Sequence, residues 1–403
     1  MTVVEGAWLL TMAGEPVRGG RVAVADGRIV AVGEALADRE PDLRLDGMAL
    51  LPGLVNVHTH LELSYLAGAV PPSDSFASWV AQLMAARRAV DELAAPEVSR
   101  AAERAIGALR ASGTAVVGDV SNTLITPPLL QSHGLAGVVF HELLGFGPGD
   151  RVAQVRDARA RAEALATDTV RVSVAAHAPY SVSPALFAAI REDLGAHPGA
   201  VSTVHVAEGP EECEFLRTGE GPWRETLHAL GVWNPEWEPP RTSPIAYLDD
   251  LGLFDGRVLA VHGVHVDGPD LARLRASGTT LAACPRSNRW VGAGSPPIDA
   301  FYASHVPVAF GTDSLASAPD LNLFSELAQA RRLAPRVPAR WLLESATQVG
   351  ADALGLGGMF GSLDVGKQAA VLAVRVPEGV TDPEEYLVSG IDPSAISWVP
   401  VHG

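Results

Sequence analysis

From about Pro52 to Gly357 the chain repeats one texture, a short apolar run followed by an Ala-, Leu- and Arg-rich stretch such as SWVAQLMAARRAVDELAAPEVSRAAERAIGALRASG. Strand-length apolar runs separated by helical stretches predict βα units, whose parallel strands are buried on both faces and lose the apolar–polar alternation. Candidate strands end near His58, Asp119, His141, His177, His205, His262, Cys284 and Asp313. Eight such units in series predict an α/β fold of the (β/α)8 TIM-barrel type, in which chemistry gathers at the C-terminal ends of the strands. Outside this span the texture changes. Val3 to about Leu51 reads as short alternating strands with tight turns, and Asp26-Gly27 in GGRVAVADGRIVAVG has the chemistry of a two-residue hairpin turn. After Gly358, GSLDVGKQAAVLAVRV and AISWVPVHG return to strand texture. The expected organisation is therefore a barrel over residues 52–357 and a small composite β-sheet domain of sandwich type, built from residues 1–51 and 358–403. WNPEWEPPRTSP reads as a long ordered loop near the barrel mouth, and a further strand is expected where the chain stops at VHG.

Composition narrows the function. With 403 residues, 47% of them apolar, the chain can bury a large core as one big domain plus a smaller one. A net charge of −17 argues against nucleic acid and anionic membrane surfaces, which a phosphate backbone or headgroup layer would repel. A small-molecule substrate is the expected partner, and a homo-oligomer is compatible with everything in the sequence. Only Cys213 and Cys284 are present, the N-terminus has no basic-then-apolar leader, and no apolar run approaches the roughly 20 residues of a membrane helix. A cytoplasmic protein without disulfides is the expectation.

The chemistry-bearing residues sit at the predicted strand ends. In LLPGLVNVHTHLELS the apolar run finishes on His58-Thr59-His60, and period-two geometry sends the side chains of residues 58 and 60 to one side of a strand. Two imidazoles on one rigid strand are preorganised for a divalent metal, whose nitrogens lie about 2.0–2.1 Å away in zinc sites. STVHVAE adds His205 and Glu208, RVLAVHGVH adds His262 and His265, and VPVAFGTDS adds Asp313. A structural histidine needs one hydrogen-bond partner and can fall anywhere along a strand. Four strands finishing on metal-type or acid–base residues point instead to a shared site.

PGLVNVHTHLE, HAPYSVSP, HVAE, VHGVH, CPRSN, GTDSLAS and GSLDVGKQAA, in this order and across nearly the whole chain, resemble the amidohydrolase superfamily, in its cytosine-deaminase-like and chlorohydrolase-like branch. The resemblance implies that His58, His60, His205 and Asp313 hold the metal, that Glu208 shuttles the proton and that His262 contacts the attacking water. His265 has no counterpart and reads as structural. Binuclear relatives usually bridge their metals with a carboxylated lysine of the fourth strand. The only lysine here is Lys367, in the tail, and RVSVAAHAP has none, so one divalent ion per chain is expected. Zinc suits three imidazoles and a carboxylate, although Fe2+ or Mn2+ could take the same ligands. A metal ion of this kind lowers the pKa of its water toward 7. Asp313 would then accept the water's proton, Glu208 would protonate a ring nitrogen and His262 would hold the developing oxyanion, which together suit hydrolytic deamination of a cyclic amidine.

Within the branch, HTHLELS followed by SFASWV is most similar to the enzymes that deaminate 6-aminodeoxyfutalosine on the route to menaquinone. That resemblance implies substrate contacts from Glu62 and His177, and has Ser287 and Asn288 hold the seventh-strand loop, with direct substrate contact as their alternative role; Arg286 or Arg289 is available to a carboxylated aromatic group. The alternatives are adenosine- or S-adenosylhomocysteine-type nucleosides, a triazine-like ring losing halide or amine, and a non-catalytic scaffold. Two departures from the family text, Ala318-Pro319 after GTDSLAS and Ala369-Ala370 after the lysine, fall outside the candidate ligands.

Overall fold

The computed structural model describes residues 1–90 and 95–400. Residues 91–94, within the long helical stretch of the sequence reading, and the terminal VHG lie outside the described residues. The apolar runs form eight parallel strands in two four-stranded sheets. Leu54–Thr59, Thr114–Ser121, Ala136–Leu143 and Val170–Ala176 pair in chain order in one, and Ser202–Val206, Val258–His262, Thr280–Ala283 and Val308–Phe310 in the other. The sheets meet at two seams. At one, His205 N–H donates to His177 O at 2.9 Å; at the other, Asp313 N–H donates to His58 O at 3.0 Å and Thr59 bridges to Asp313 in parallel register.

Parallel neighbours need a crossover, and helices supply it. Their starts are readable in the sequence as side-chain caps: Ser75 accepts from Ser78 N–H, Asp150 from Ala153 N–H, Ser183 from Leu186 N–H, and Asp267 with Asp270 closes a capping box. The strands are almost continuously buried, as expected where helices cover one face and side chains fill the other. Gly311 marks a close approach. A Cβ there would lie 2.5 Å from His58 Cβ, so a bare backbone lets the end of the eighth strand reach the first.

Both chain ends contribute to a separate seven-stranded sheet. The hairpin of Arg21–Ala25 and Arg28–Val32 turns at Asp26 and Gly27, both with positive φ (50° and 71°), the conformation that the Asp-Gly pair favours. Leu43–Pro52 pairs parallel with Thr2–Leu9 and antiparallel with Val371–Arg375, which in turn takes Ile396–Trp398. The described strands of this region form one connected sheet. No helix among the described residues is long and apolar enough to cross a membrane.

Candidate metal centre and active site

His58 and His60 leave the first strand on the same side, as period two requires, and meet His205 from the fifth. His60 Nε2 lies 3.2 Å from His205 Nε2; Asp313 Oδ1 lies 3.5 Å from His60 Nε2 and 3.7 Å from His58 Nε2. His58 is wholly buried and neither ring nitrogen has a hydrogen-bond partner among the described residues. Burial, reinforced by the neighbouring His60, His205 and His262 rings, holds its pKa well below the ordinary value, so it is a neutral imidazole with a free lone pair. Donors about 3.4 Å apart are what two ligands of one tetrahedral ion present, and this set has that spacing. The residues fit a divalent metal.

Surrounding groups set the orientation of each donor. His205 Nδ1–H donates to His177 O at 3.0 Å, which turns Nε2 toward the cluster. Asp313 Oδ2 accepts from Ser287 Oγ (2.5 Å) and Ser317 Oγ (3.0 Å), leaving Oδ1 to face the histidines. Asn288 Nδ2 donates to His262 Nδ1 at 3.0 Å, so the ring proton sits on Nε2, 3.5 Å from Glu208 Oε1. Burial lowers the His262 pKa to about 3, which keeps this ring neutral as well. Ala207, His262 and Asp313 all have positive φ, at 52°, 79° and 60°. Left-handed backbone at three non-glycine residues around one cluster is strain of the kind that gathers at functional sites.

Glu208 is aimed by Glu212, a residue the sequence reading did not single out. One turn into the helix Pro210–Thr218, the Glu212 carboxylate accepts from Ala207 N–H at 2.9 Å and Glu208 N–H at 3.0 Å, fixing the left-handed turn that leaves the fifth strand. Burial, with the carboxylates of Asp313, Glu212 and Glu211 behind it, pushes the Glu208 carboxyl well above its ordinary value. The same burial favours the protonated form, as a proton donor requires. Glu212 itself is raised by burial from 4.5 to about 8, against its two backbone hydrogen bonds. Because the folded pKa exceeds the unfolded one, its contribution to stability is complete below pH 4.5 and is lost as pH rises through about 8. Denaturant midpoints for wild type and Glu212→Gln should therefore shift in the variant's favour between those limits; a difference independent of pH would contradict this.

A cavity of about 640 Å³ opens over the cluster, lined by His60, His177, His205, Glu208, His262 and Asp313 at its base. This is the size of a small-molecule site. Its wall comes from the helix Phe76–Arg88, where Phe76, Trp79, Val80, Leu83, Met84 and Arg87 recur at three- and four-residue spacing on one face. That periodic face was available in the sequence and was missed. Tyr180 and Trp223, stacked with ring centroids 4.0 Å apart, line the cavity too, and Trp223 meets Phe76 edge-on at 5.7 Å. Glu142, near the end of the third strand, also lines the cavity and was not anticipated.

Several anticipated substrate contacts lie elsewhere. Glu62 is buried with its carboxylate saturated by Ser121 Oγ, Asn122 N–H, Thr123 N–H and Thr123 Oγ1, so it fastens the loop after the second strand rather than lining the cavity. Ser287 and Asn288 are wholly buried behind Asp313 and His262 and are absent from the cavity wall. Arg286 is taken up by Asp320 on another face, and Arg289 does not reach the cavity; the guanidinium that lines it is Arg87, with Arg88 beside it. His265 donates to Ala293 O at 2.8 Å, a structural bond, as expected. The Trp-rich loop folds away from the cavity: Trp237 stacks on Phe215 and Trp233 on Phe146, whereas the cavity tryptophans are Trp79 and Trp223. Of the other strand-end residues, Asp119 accepts from Leu61 N–H and Thr59 Oγ1 as a buried structural carboxylate.

Comparison with known proteins decides the lineage. The model of the amidohydrolase family matches residues 49–389. The chain belongs to the amidohydrolase family. This amidohydrolase is 32% identical to the aminodeoxyfutalosine deaminase of Deinococcus radiodurans over 83% of its own length and 82% of the relative's. It is 29% identical to a 5-methylthioadenosine/S-adenosylhomocysteine deaminase of Syntrophobacter fumaroxidans, over 95% and 87% of the two chains. A zinc-bound adenosine deaminase structure from Xanthomonas campestris superposes with a TM-score of 0.81 at 26% identity, covering 98% of this chain and 90% of that one. The protein is thus a hydrolase acting on C–N bonds, of a metal-dependent family, and its parallel strands and helices are arranged as in that structural neighbour.

Proposed function

We propose that the protein is a metal-dependent deaminase of an adenine nucleoside, and that 6-aminodeoxyfutalosine, converted to futalosine and ammonia, is its substrate. The observation that carries the deaminase reading is the convergence, in one cavity, of Glu208, whose carboxyl burial pushes well above its ordinary value, a neutral His262 and Asp313 beside three imidazoles. In this reading His58, His60, His205 and Asp313 hold one zinc ion, the two parallel sheets close as a (β/α)8 barrel over residues 52–357, and residues 1–51 and 358–403 form a sandwich-type end domain. A divalent ion there would lower the pKa of a coordinated water toward 7 and so supply a nucleophile at neutral pH. Glu208 protonates the ring nitrogen of the amidine as water adds to the adjacent carbon. Asp313 takes one proton of that water and returns it to the amino group, which leaves as ammonia. The second water proton restores Glu208, while His262 Nε2–H donates to the developing oxyanion.

Substrate size and charge favour the larger nucleoside. The cavity has an apolar, aromatic wall beyond the catalytic groups and two arginines, Arg87 and Arg88, of which Arg87 donates from Nη2 to Asn122 Oδ1 at 3.4 Å. A carboxylated aromatic extension suits that combination, since guanidinium pairs bidentately with carboxylate and the wall buries the ring. The likeness to the D. radiodurans enzyme supports the same choice. Steady-state kinetics test it: kcat/KM for 6-aminodeoxyfutalosine should exceed that for adenosine, and Arg87→Gln should raise KM for the former by about 10- to 100-fold, the worth of charge-assisted hydrogen bonds. Comparable efficiency on the two nucleosides, or turnover of triazines alone, would contradict it.

A further inference from the structure

We propose that Glu142 is a substrate-binding residue that accepts hydrogen bonds from the vicinal hydroxyls of the nucleoside sugar, an inference that rests on the nucleoside reading above. Glu142 is 6% exposed and lines the cavity near the end of the third strand. Its Oε2 accepts from Asn122 Nδ2 at 2.8 Å, which fixes the carboxylate plane. Its Oε1 has no hydrogen-bond partner among the described residues. A buried carboxylate oxygen without a donor is costly, so it calls for one.

The nearest polar group does not meet that need. His205 Nδ1 lies 3.4 Å from Oε1, but its proton is already donated to His177 O at 3.0 Å. The same fact argues against a second metal ion between Glu142, His177 and His205, although ligand atoms of all three lie within 4.8 Å of one another. His205 turns its protonated nitrogen toward Glu142 and its free Nε2 toward His60, so it cannot ligate on the Glu142 side. What remains is a fixed carboxyl acceptor in the cavity wall, one imidazole away from the cluster that handles the amidine. His177 stands beside it with Nδ1 held by Ser181 Oγ at 2.5 Å. A neutral diol carries the donors this acceptor lacks, and a sugar joined to the base places them at a fixed offset from the reacting carbon.

The test compares kcat/KM for adenosine and 2′,3′-dideoxyadenosine in wild type, Glu142→Gln and Glu142→Ala, with metal content measured on each protein. Wild type should prefer adenosine by about 10- to 100-fold, as expected for hydrogen bonds to a charged acceptor. Both variants should lose most of that preference, through KM more than kcat, with metal content unchanged. Glu142→Gln keeps the side-chain volume and serves if Glu142→Ala does not fold. The inference is overturned if wild type shows no preference, if the variants lose both nucleosides equally, or if they lose the metal, which would make Glu142 a positioning group for His205. Failure of wild type to turn over adenosine, 2′,3′-dideoxyadenosine and 6-aminodeoxyfutalosine alike would instead remove the nucleoside reading itself.

Discussion

Glu208→Gln should lower kcat on the best substrate by roughly 100- to 10,000-fold, or about 3 to 5.5 kcal/mol of barrier, while leaving metal content unchanged. Glutamine keeps the volume and the capacity to hydrogen-bond near His262 Nε2, but it has no acidic proton for the ring nitrogen. The expectation rests on two features of the site. Glu208 is buried in the cavity wall, where burial and neighbouring carboxylates push its carboxyl well above the ordinary value, and its backbone is clamped by Glu212. Rapid-quench measurement of ammonia, with elemental analysis on the same sample, separates the outcomes. Near-full kcat would make Glu208 a bystander, and loss of metal would make it a ligand.

Asp313→Asn should do both kinds of damage. Oδ1 lies among the imidazole nitrogens and Oδ2 is held by Ser287 and Ser317, so on the proposed mechanism the amide would replace a ligand, remove the proton acceptor and set an N–H₂ group against the hydroxyls or the histidines. Wild type should carry about one divalent ion per chain, and the variant less after dialysis. The rate should fall by several kcal/mol of barrier, on the order of 1,000-fold or more. Two tightly held ions in wild type would contradict the mononuclear reading drawn from the lysine-free fourth strand. Full metal occupancy in Asp313→Asn would contradict its place as a ligand.

That His58, His60, His205 and Asp313 lie near one another was legible because they end parallel strands, while their selection from among the strand-end residues came from the family resemblance. Residues two apart on a strand share a side, and parallel strands bring their C-terminal ends together whatever the loops do. The hairpin at Asp26-Gly27 was legible for a similar reason, since few residues accept positive φ twice in succession. Function carried by tertiary partners was not legible. Whether a carboxylate after a ligand strand faces substrate or ties down the next loop depends on which donors arrive from elsewhere, and for Glu62 four donors come from residues 121–123. Ser287 and Asn288 act one layer behind the cavity for the same reason: their partners, Asp313 and His262, lie 26 residues away in each case. Arg87 is different. Its helix face was periodic in the sequence, but only the packing shows that this face turns toward the cavity rather than into the core.

The most direct test of the account measures ammonia and futalosine released from 6-aminodeoxyfutalosine by the purified protein, before and after treatment with a chelator and again after a divalent metal is returned. The account predicts the two products in equal amounts, loss of both on chelation, and recovery with about one equivalent of metal per chain. Ammonia release that survives chelation, or a protein that leaves this nucleoside and adenosine intact while releasing halide or alkylamine from a triazine, would contradict it.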